Sequence, residues 1–204
     1  MESVQESFWR GEFGDNYIER NCNESILISD TALFARILRH TGDIQSICEF
    51  GANIGLNLIA LHTLLPDLAL TGIEINQKSA DMLAQISYVN AKCCSIYDYT
   101  PCKEKYDLAF TKGVLIHQNP DLLPKAYDIL YQSSRRYIMI CEYYNPTPME
   151  VSYRGYTSVL YKRDFAGEMM QKYPDLLLLD YGFVYHGDNH FKGDDFTWFL
   201  MEKR

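Results

Sequence analysis

The stretch from Ile47 to Asn57, ICEFGANIGLN, constrains this chain more than any other: an apolar run ends in an acidic residue, two glycines stand four apart, and helix-forming residues follow. That order describes a strand, a tight bend and a helix. A parallel strand would deliver Glu49 to the carboxyl edge of a sheet. Gly51 and Gly55 leave the backbone bare where a ligand must come close. Glu74 then arrives 23 residues after Gly51, at the end of a second apolar run, LALTGIE. A carboxylate at that place can accept hydrogen bonds from both hydroxyls of a ribose. Together the two features predict a nucleotide-type ligand on an α/β sheet.

Length and composition narrow the rest. A chain of 204 residues suits one domain that buries roughly 70% of the surface its unfolded form exposes. Residues 1–29 are expected to form an N-terminal lid and residues 30–204 the core. The six cysteines form no Cys-x-x-Cys pair and are expected to be reduced, structural thiols. The polar, acidic start MESVQESFWRGEF and the absence of any apolar run near ~18 residues predict neither a signal peptide nor a membrane helix, and hence a cytoplasmic protein without a membrane partner. A formal charge of −8 and a pI near 5.1 argue against nucleic acid, which needs Lys and Arg massed on one face. A small molecule is the expected partner. An anionic one requires that Lys112, Arg154, Lys162 and Arg163 gather locally against the overall field. No metal-ligand spacing stands out, so no metal is expected. Both monomer and homodimer are compatible with the sequence.

Strand and helix patterns alternate along the chain. Asp30 is placed to cap a helix carrying Leu33, Phe34, Ile37 and Leu38, with Gly42 near its end. A first strand is predicted from about Ile44 to Phe50, a helix from Gly55 to Leu65, and a second strand from Leu68 to Glu74. A helix over 77–86 and a third strand near Tyr88 to Cys93 follow. The fourth strand starts near Tyr106, a helix covers 121–132, and the fifth strand runs from Arg136 to Tyr143. The segment from Asn145 to Tyr161 exceeds the usual length of a connector and reads as a functional loop. After a helix over 163–172, the runs LLLLDYGFVY and DFTWFLMEK are separated by only a short loop and should pair antiparallel. The expected fold class is α/β: a seven-stranded, mostly parallel sheet with an antiparallel C-terminal strand.

These motifs carry a resemblance. CEFGANIGLN, GIEIN and YDLAFTKGVLIH resemble the corresponding segments of class I S-adenosylmethionine-dependent methyltransferases, which are Rossmann-like. FWRGEFGDNYIERN, TKGVLIH, EYYNPTPMEVSYRG, KRDFAGEM and DYGFVYH, taken in order, resemble the methylases associated with pseudaminic acid biosynthesis over nearly the whole chain. The resemblance implies S-adenosyl-L-methionine as cofactor. It also implies a sugar acceptor of the nonulosonic acid type, a precursor of one, or its nucleotide-activated form, with an amine or hydroxyl as the methylated group.

Under that resemblance the cofactor-binding residues are Tyr17, Arg20, Glu49, Gly51, Asn53, Gly55, Glu74, Ile75, Ser95, Ile96 and Lys112. Glu74 takes the ribose and Ile75 lies against adenine; Ser95 and Ile96 meet its edge and face. Glu49 favours the cationic methionine end, and Asn53 shapes the bend. Tyr17 and Arg20 belong to a lid bearing Phe8, Trp9 and Phe13. His117, after the fourth strand, is the expected general base, because imidazole accepts protons near neutrality. Glu142 is the competing base, or a partner of Arg154. Tyr143, Tyr144, Asn145 and Arg154 are the expected substrate contacts, although only one of the two adjacent tyrosines can face the pocket if the strand continues. His40 and His62 are expected on helix surfaces, while His186 and His190 reach the site only if the last hairpin loop folds over.

Two other readings stay open. A non-catalytic module that binds S-adenosylmethionine would need the same residues. A dinucleotide-dependent oxidoreductase wants Gly-x-Gly-x-x-Gly, and the chain has Gly51, Asn53 and Leu56 at those positions.

Overall fold

The computed structural model describes residues 2–20, 24–102 and 105–204, without the side chains of residues 19 and 20. Helices α1 (Val4–Arg10), α2 (Glu12–Arg20) and α3 (Glu24–Leu38) precede strand β1 (Ser46–Phe50). Helix α4 (Leu56–Leu64), β2 (Ala69–Glu74), α5 (Gln77–Leu83), β3 (Val89–Cys93) and β4 (Tyr106–Lys112) follow. Then come α6 (Leu123–Ser133), β5 (Ser134–Glu142), a short ribbon of β6 (Met149–Glu150) and β7 (Tyr161–Lys162), α7 (Phe165–Lys172), β8 (Leu176–Phe183) and β9 (Thr197–Lys203).

Seven strands form one sheet in the order β3-β2-β1-β4-β5-β9-β8. Six run parallel, and β9 runs antiparallel between β5 and β8. The expected sheet is therefore found. The central strands β1 and β4 are buried almost throughout, which is why their sequences read as apolar runs without alternation: helices cover both faces. The order reverses between β1 and β4, and at such a reversal the loops leaving the two strands diverge and open a crevice at the carboxyl edge.

Local chemistry sets the element ends. Ser3 and Glu6 form a reciprocal capping box on α1, Asn76 caps α5 through the amide of Ser79, and Asp164 caps α7 through Gly167. Asp30 is a correction: α3 starts at Glu24, and Asp30 lies inside it, 5% exposed. Its carboxylate looks like a cap locally, yet its partner is Lys112, at 2.9 Å. Helix α6 also starts later than expected, because Pro120–Leu122 forms a 3-10 turn capped by Asn119. The long loop after β5 contains a tight turn between Tyr153 and Tyr156, with Arg154 (φ 52) and Gly155 (φ 85) both in the left-handed region. Two consecutive positive φ values are what a two-residue hairpin demands.

Among the described cysteines all are free; Cys48 and Cys141 are buried, whereas Cys93 and Cys102 are exposed. His40 pairs with Asp180 at 3.0 Å, and His62 stacks on Tyr88 at 3.6 Å. Among the described residues no helix is long and apolar enough to cross a membrane.

Asp107, at the start of β4, ties the first strand to its neighbour. It accepts from the amides of Gln45 and Ser46, from the Ser46 hydroxyl and from Arg135. Burial pushes its carboxyl up, but the Arg135 bond, the Gln45 amide and Ser46 outweigh this and hold it at about 2. A depressed carboxyl stabilises the fold above its unfolded value near 3.9 and loses that contribution as pH falls through about 2. Asp107→Asn is expected to lower stability by about 2 kcal/mol at neutral pH, and the gap to the parent chain should close between roughly pH 4 and 2 in urea unfolding curves.

Candidate functional site

The bend after β1 is held by backbone. The amides of Gly51 and Ala52 both donate to the Ile73 carbonyl, at 2.8 and 3.0 Å, and Gly51, Asn53 and Gly55 all have positive φ. The glycines also make room for the protein itself. A Cβ on Gly51 would stand 2.3 Å from the Val114 side chain, and one on Gly55 would stand 2.6 Å from Leu83. Packing of the bend against the loop after β4 and against α5 therefore demands glycine independently of any ligand.

Glu74 ends β2 and grips two loops. One carboxylate oxygen accepts the Asn53 amide at 2.7 Å and the other accepts the Asn76 amide at 2.8 Å. Burial raises its carboxyl above the ordinary range, and the amides of Asn76 and Asn53 work in the opposite direction. Each oxygen keeps a second lone pair for a ligand hydroxyl. Glu49 is placed differently from expectation. It is 0% exposed and lies beneath the bend, where it accepts from Asn57 at 2.5 Å. Burial pushes its carboxyl up to about 8, with Asn57 and Lys112 pulling down.

Above this edge lies a cavity of about 660 Å³. The structure brings Tyr17, Gly51, Asn53, Glu74, Ile75, Ser95, Ile96, Lys112, His117, Tyr143 and Arg154 to its wall. Glu49, Gly55, Glu142, Tyr144 and Asn145 do not line it, and the side chain of Arg20 lies outside the described residues. Lys112 is bound to Asp30; burial alone would lower its ammonium pKa, but Asp30, with Cys141 and Glu49 adding to it, raises it above the ordinary value. Tyr143 and Tyr144 do point opposite ways: Tyr143 stacks on Phe196 at 4.9 Å, while Tyr144 is exposed beside Phe199 on the far face. Asn145 turns away and bonds Thr147. Arg163 leaves the site to pair with Glu168.

His117 is 6% exposed, and its Nδ1 lies 2.6 Å from the Val159 carbonyl. A carbonyl only accepts, so Nδ1 carries the proton and Nε2 the lone pair. Burial drives the imidazole down to about 4 despite the Val159 bond, and the ring is therefore neutral at physiological pH. Trp9 and Tyr153 pack on it, with centroids at 4.6 and 5.2 Å. Glu142 is corrected from candidate base to anchor. It is 2% exposed, and its oxygens accept the amides of Val114, Leu115 and Ile116 at 3.0 to 3.3 Å. Burial pushes it up to about 7 against those bonds. It fixes the turn that presents His117.

Helices α1 and α2 roof the cavity. Ser95 donates to Glu6 at 2.5 Å, Gln5 donates to the Ser158 carbonyl at 2.8 Å, and Asn76 donates to Asp15 at 2.8 Å. Phe8 stacks on Phe13 at 4.1 Å, and Tyr17 packs edge-on to Trp9. Sequence reasoning missed Gln5 and Glu6 as wall residues; the i, i+1, i+4 face they share with Trp9, which was expected in the lid, was the available signal. It also missed Asn57, Tyr153 and Lys192, the last on the loop that brings His186 over the cavity but leaves His190 outside it. Several buried polar atoms in or under this wall have no partner: Gln5 Oε1, Trp9 Nε1, Asn53 Oδ1, Asn57 Oδ1 and Glu49 Oε2. Each orphan costs about 1–3 kcal/mol, and their concentration at one cavity marks it as built for a polar ligand. No cluster of metal-ligating side chains occurs among the described residues.

No protein-family model matches the chain, and no curated protein matches it in sequence. Solved structures do. A Burkholderia thailandensis 1,6-didemethyltoxoflavin-N1-methyltransferase, holding 1,6-didemethyltoxoflavin and S-adenosylhomocysteine, superposes with a TM-score of 0.73 at 13% identity, covering 98% of this chain and 87% of that one. The magnesium protoporphyrin IX methyltransferase of Synechocystis PCC 6803, with bound S-adenosylhomocysteine, gives 0.70 at 12% identity and 98% coverage of both chains. A methyltransferase from Archaeoglobus fulgidus that depends on S-adenosylmethionine gives 0.69 at 12% identity, covering 94% of this chain and all of that one. The chain thus has the Rossmann-like fold of class I methyltransferases.

The Asp30–Lys112 pair at the cavity floor yields a stability test. Asp30→Ala leaves a buried ammonium without its partner and is expected to cost about 3–5 kcal/mol in chemical denaturation. Adding Lys112→Met to Asp30→Ala should recover most of that loss, since a paired deletion leaves no uncompensated charge.

Proposed function

We propose that this protein is a methyltransferase that uses S-adenosyl-L-methionine to methylate an amine or hydroxyl of a small molecule. The observation that carries the reading is a single cavity with Glu74 and the backbone bend at one end and a neutral His117 of fixed tautomer in the same wall. The residues present fit the cofactor. Glu74 has lone pairs left for ribose hydroxyls, Ile75 and Ile96 offer apolar surface to a purine, and the orphaned amide oxygens of Asn53 and Asn57 suit a cationic amino-acid end. That the similar Burkholderia and Synechocystis structures hold S-adenosylhomocysteine supports this choice.

When bound, the cofactor supplies an activated methyl on a sulfonium, so the protein chiefly aligns the partners and excludes water. Trp9 and the rest of the α1–α2 roof shut out solvent, which strengthens the polar contacts inside. His117 Nε2 receives the proton released from the acceptor, and Glu142 holds the turn that aims the ring. Glu49, beneath the bend, keeps Asn57 in place. Tyr143 and Arg154 contact the acceptor from the cavity wall, the guanidinium by binding an acidic group as a fork. Lys112, neutralised by Asp30, fixes the floor.

For the acceptor we favour a sugar of the nonulosonic, pseudaminic acid type, its precursor or its nucleotide-activated form. The ordered motifs from FWRGEFGDNYIERN to DYGFVYH support this. So does Arg154, which lines the cavity and pairs with no carboxylate among the described residues. A cytoplasmic location belongs to the same proposal.

Calorimetry should show binding of S-adenosylmethionine and S-adenosylhomocysteine but not of NAD; binding of NAD alone would refute the assignment. Glu74→Ala is expected to weaken cofactor binding by about 1–3 kcal/mol. His117→Gln should cut turnover while leaving cofactor affinity nearly unchanged. Since His117 must be unprotonated to act, activity of the parent enzyme should rise with pH through about 4; a rise centred near the ordinary imidazole value of about 6.5 would count against it.

A further inference from the structure

Helix α1 brings a carboxylate to the cavity wall that the helix itself does not use in full. Glu6 closes the capping box with one oxygen: Oε2 accepts the Ser3 amide and the Ser3 hydroxyl, each at 2.9 Å. Its other oxygen, Oε1, reaches 89 positions along the chain and accepts the Ser95 hydroxyl at 2.5 Å. A carboxylate offers about four lone pairs. Oε2 is therefore filled, while Oε1 keeps one lone pair on a residue that lines the cavity. Burial alone would raise the Glu6 carboxyl, but the Ser3 amide, the Ser95 and Ser3 hydroxyls and Arg10 outweigh it and hold the group below the ordinary carboxylate value. It is ionised at neutral pH.

Ser95, the residue expected at the purine edge, has no proton left to give. Its hydroxyl donates to Glu6 and accepts the Tyr97 amide at 3.1 Å, and the residue is 1% exposed. Gln5, the neighbour of Glu6, is a second acceptor in the same wall: it is 7% exposed, and its Oε1 has no partner. The underside of α1 is thus rich in acceptors and short of donors. Ile75 and Ile96 line the same cavity, and Ile96 follows Ser95 directly. An apolar ring with a hydrogen-bond donor on its rim is the chemistry that suits this end.

Resting on the cofactor reading above, we propose that α1 reads the base of the cofactor: the exocyclic amine of adenine donates to Glu6 Oε1, and the lid seats fully only over a base that carries this amine. A purine without it leaves the ionised carboxylate in the wall with its last lone pair unmet, which costs more for a charged group than for a neutral one. Because α1 also carries Trp9 onto the His117 ring and Gln5 onto the Ser158 carbonyl, the base at one end of the cavity then settles the wall at the other.

Calorimetric titration of S-adenosylhomocysteine against its counterpart with unsubstituted purine in place of adenine tests this. The parent chain should bind the adenine ligand roughly tenfold or more tightly than the purine ligand, and Glu6→Met should bring the two affinities nearly level. A Glu6 that merely latches α1 would weaken both ligands alike in the variant and leave their ratio unchanged, and that result overturns the proposal. So does a parent chain that binds the two equally. A parent chain that binds neither refutes the cofactor reading itself, and this proposal with it. Hydrogen exchange on the parent chain needs no variant. With each ligand at saturation, the amides of Val4–Arg10 should be better protected by the adenine ligand, and equal protection by both overturns the proposal as well.

Discussion

Everything at the carboxyl edge of the sheet depends on the carboxylate of Glu74 holding two loops at once. One oxygen fixes the Asn53 amide in the bend after β1, and the other fixes the Asn76 amide where α5 begins. Neither loop has regular structure of its own there, and buried amides without acceptors are costly. With the carboxylate in place, Asn76 is free to cap α5 with its side-chain oxygen and to hold the lid through its nitrogen, which reaches Asp15 and the Trp9 carbonyl. The bend, the helix and the roof are thus positioned through one side chain and its immediate neighbour. The same carboxylate faces the cavity, so the group that orders the edge is also the one offered to a ligand.

Glu142 repeats the device at the end of β5. Its oxygens collect three consecutive amides, from Val114 to Ile116, and so turn the chain sharply after β4. His117 follows at once, with its ring pinned between the Val159 carbonyl and Trp9. Two buried acids at strand ends therefore shape the two loops that meet across the crevice. Val114 and Gly51 interlock where those loops touch, which is why a side chain on Gly51 has nowhere to go.

The succession of strands along the chain and the outline of the site were legible because they rest on local patterns: apolar runs for buried strands, glycines four apart, and an acid at a strand end. What sequence could not show was long-range. Asp30 has the chemistry of a helix cap, and only the fold reveals that it meets Lys112, 82 positions on. Glu142 ends its strand as a catalytic acid would, but the backbone amides that occupy it belong to another loop. For Glu49 the difficulty was depth, since a strand-end acid can sit on the cavity wall or beneath it, and the side chain of Asn57 draws it beneath. The tyrosine that faces the pocket was undecidable because alternation fixes opposition but not phase. Phe196, from the far hairpin, breaks the tie by stacking on Tyr143.

The proposed chemistry has to reconcile a base of low basicity with proton removal. A free ammonium group holds its proton near pH 10, far above an imidazole at about 4, so His117 is poorly matched to stripping an ammonium before attack. A hydroxyl behaves differently. Its proton becomes strongly acidic only as the oxygen takes the methyl and acquires positive charge, and a weak base already in contact can then receive it. The burial that weakens His117 also keeps it unprotonated at every ordinary pH, so Nε2 is always available, and the Val159 carbonyl keeps it turned toward accepting. Within the proposed reaction this favours a hydroxyl acceptor, or an amine that arrives already neutral, over an ammonium that the site itself must deprotonate.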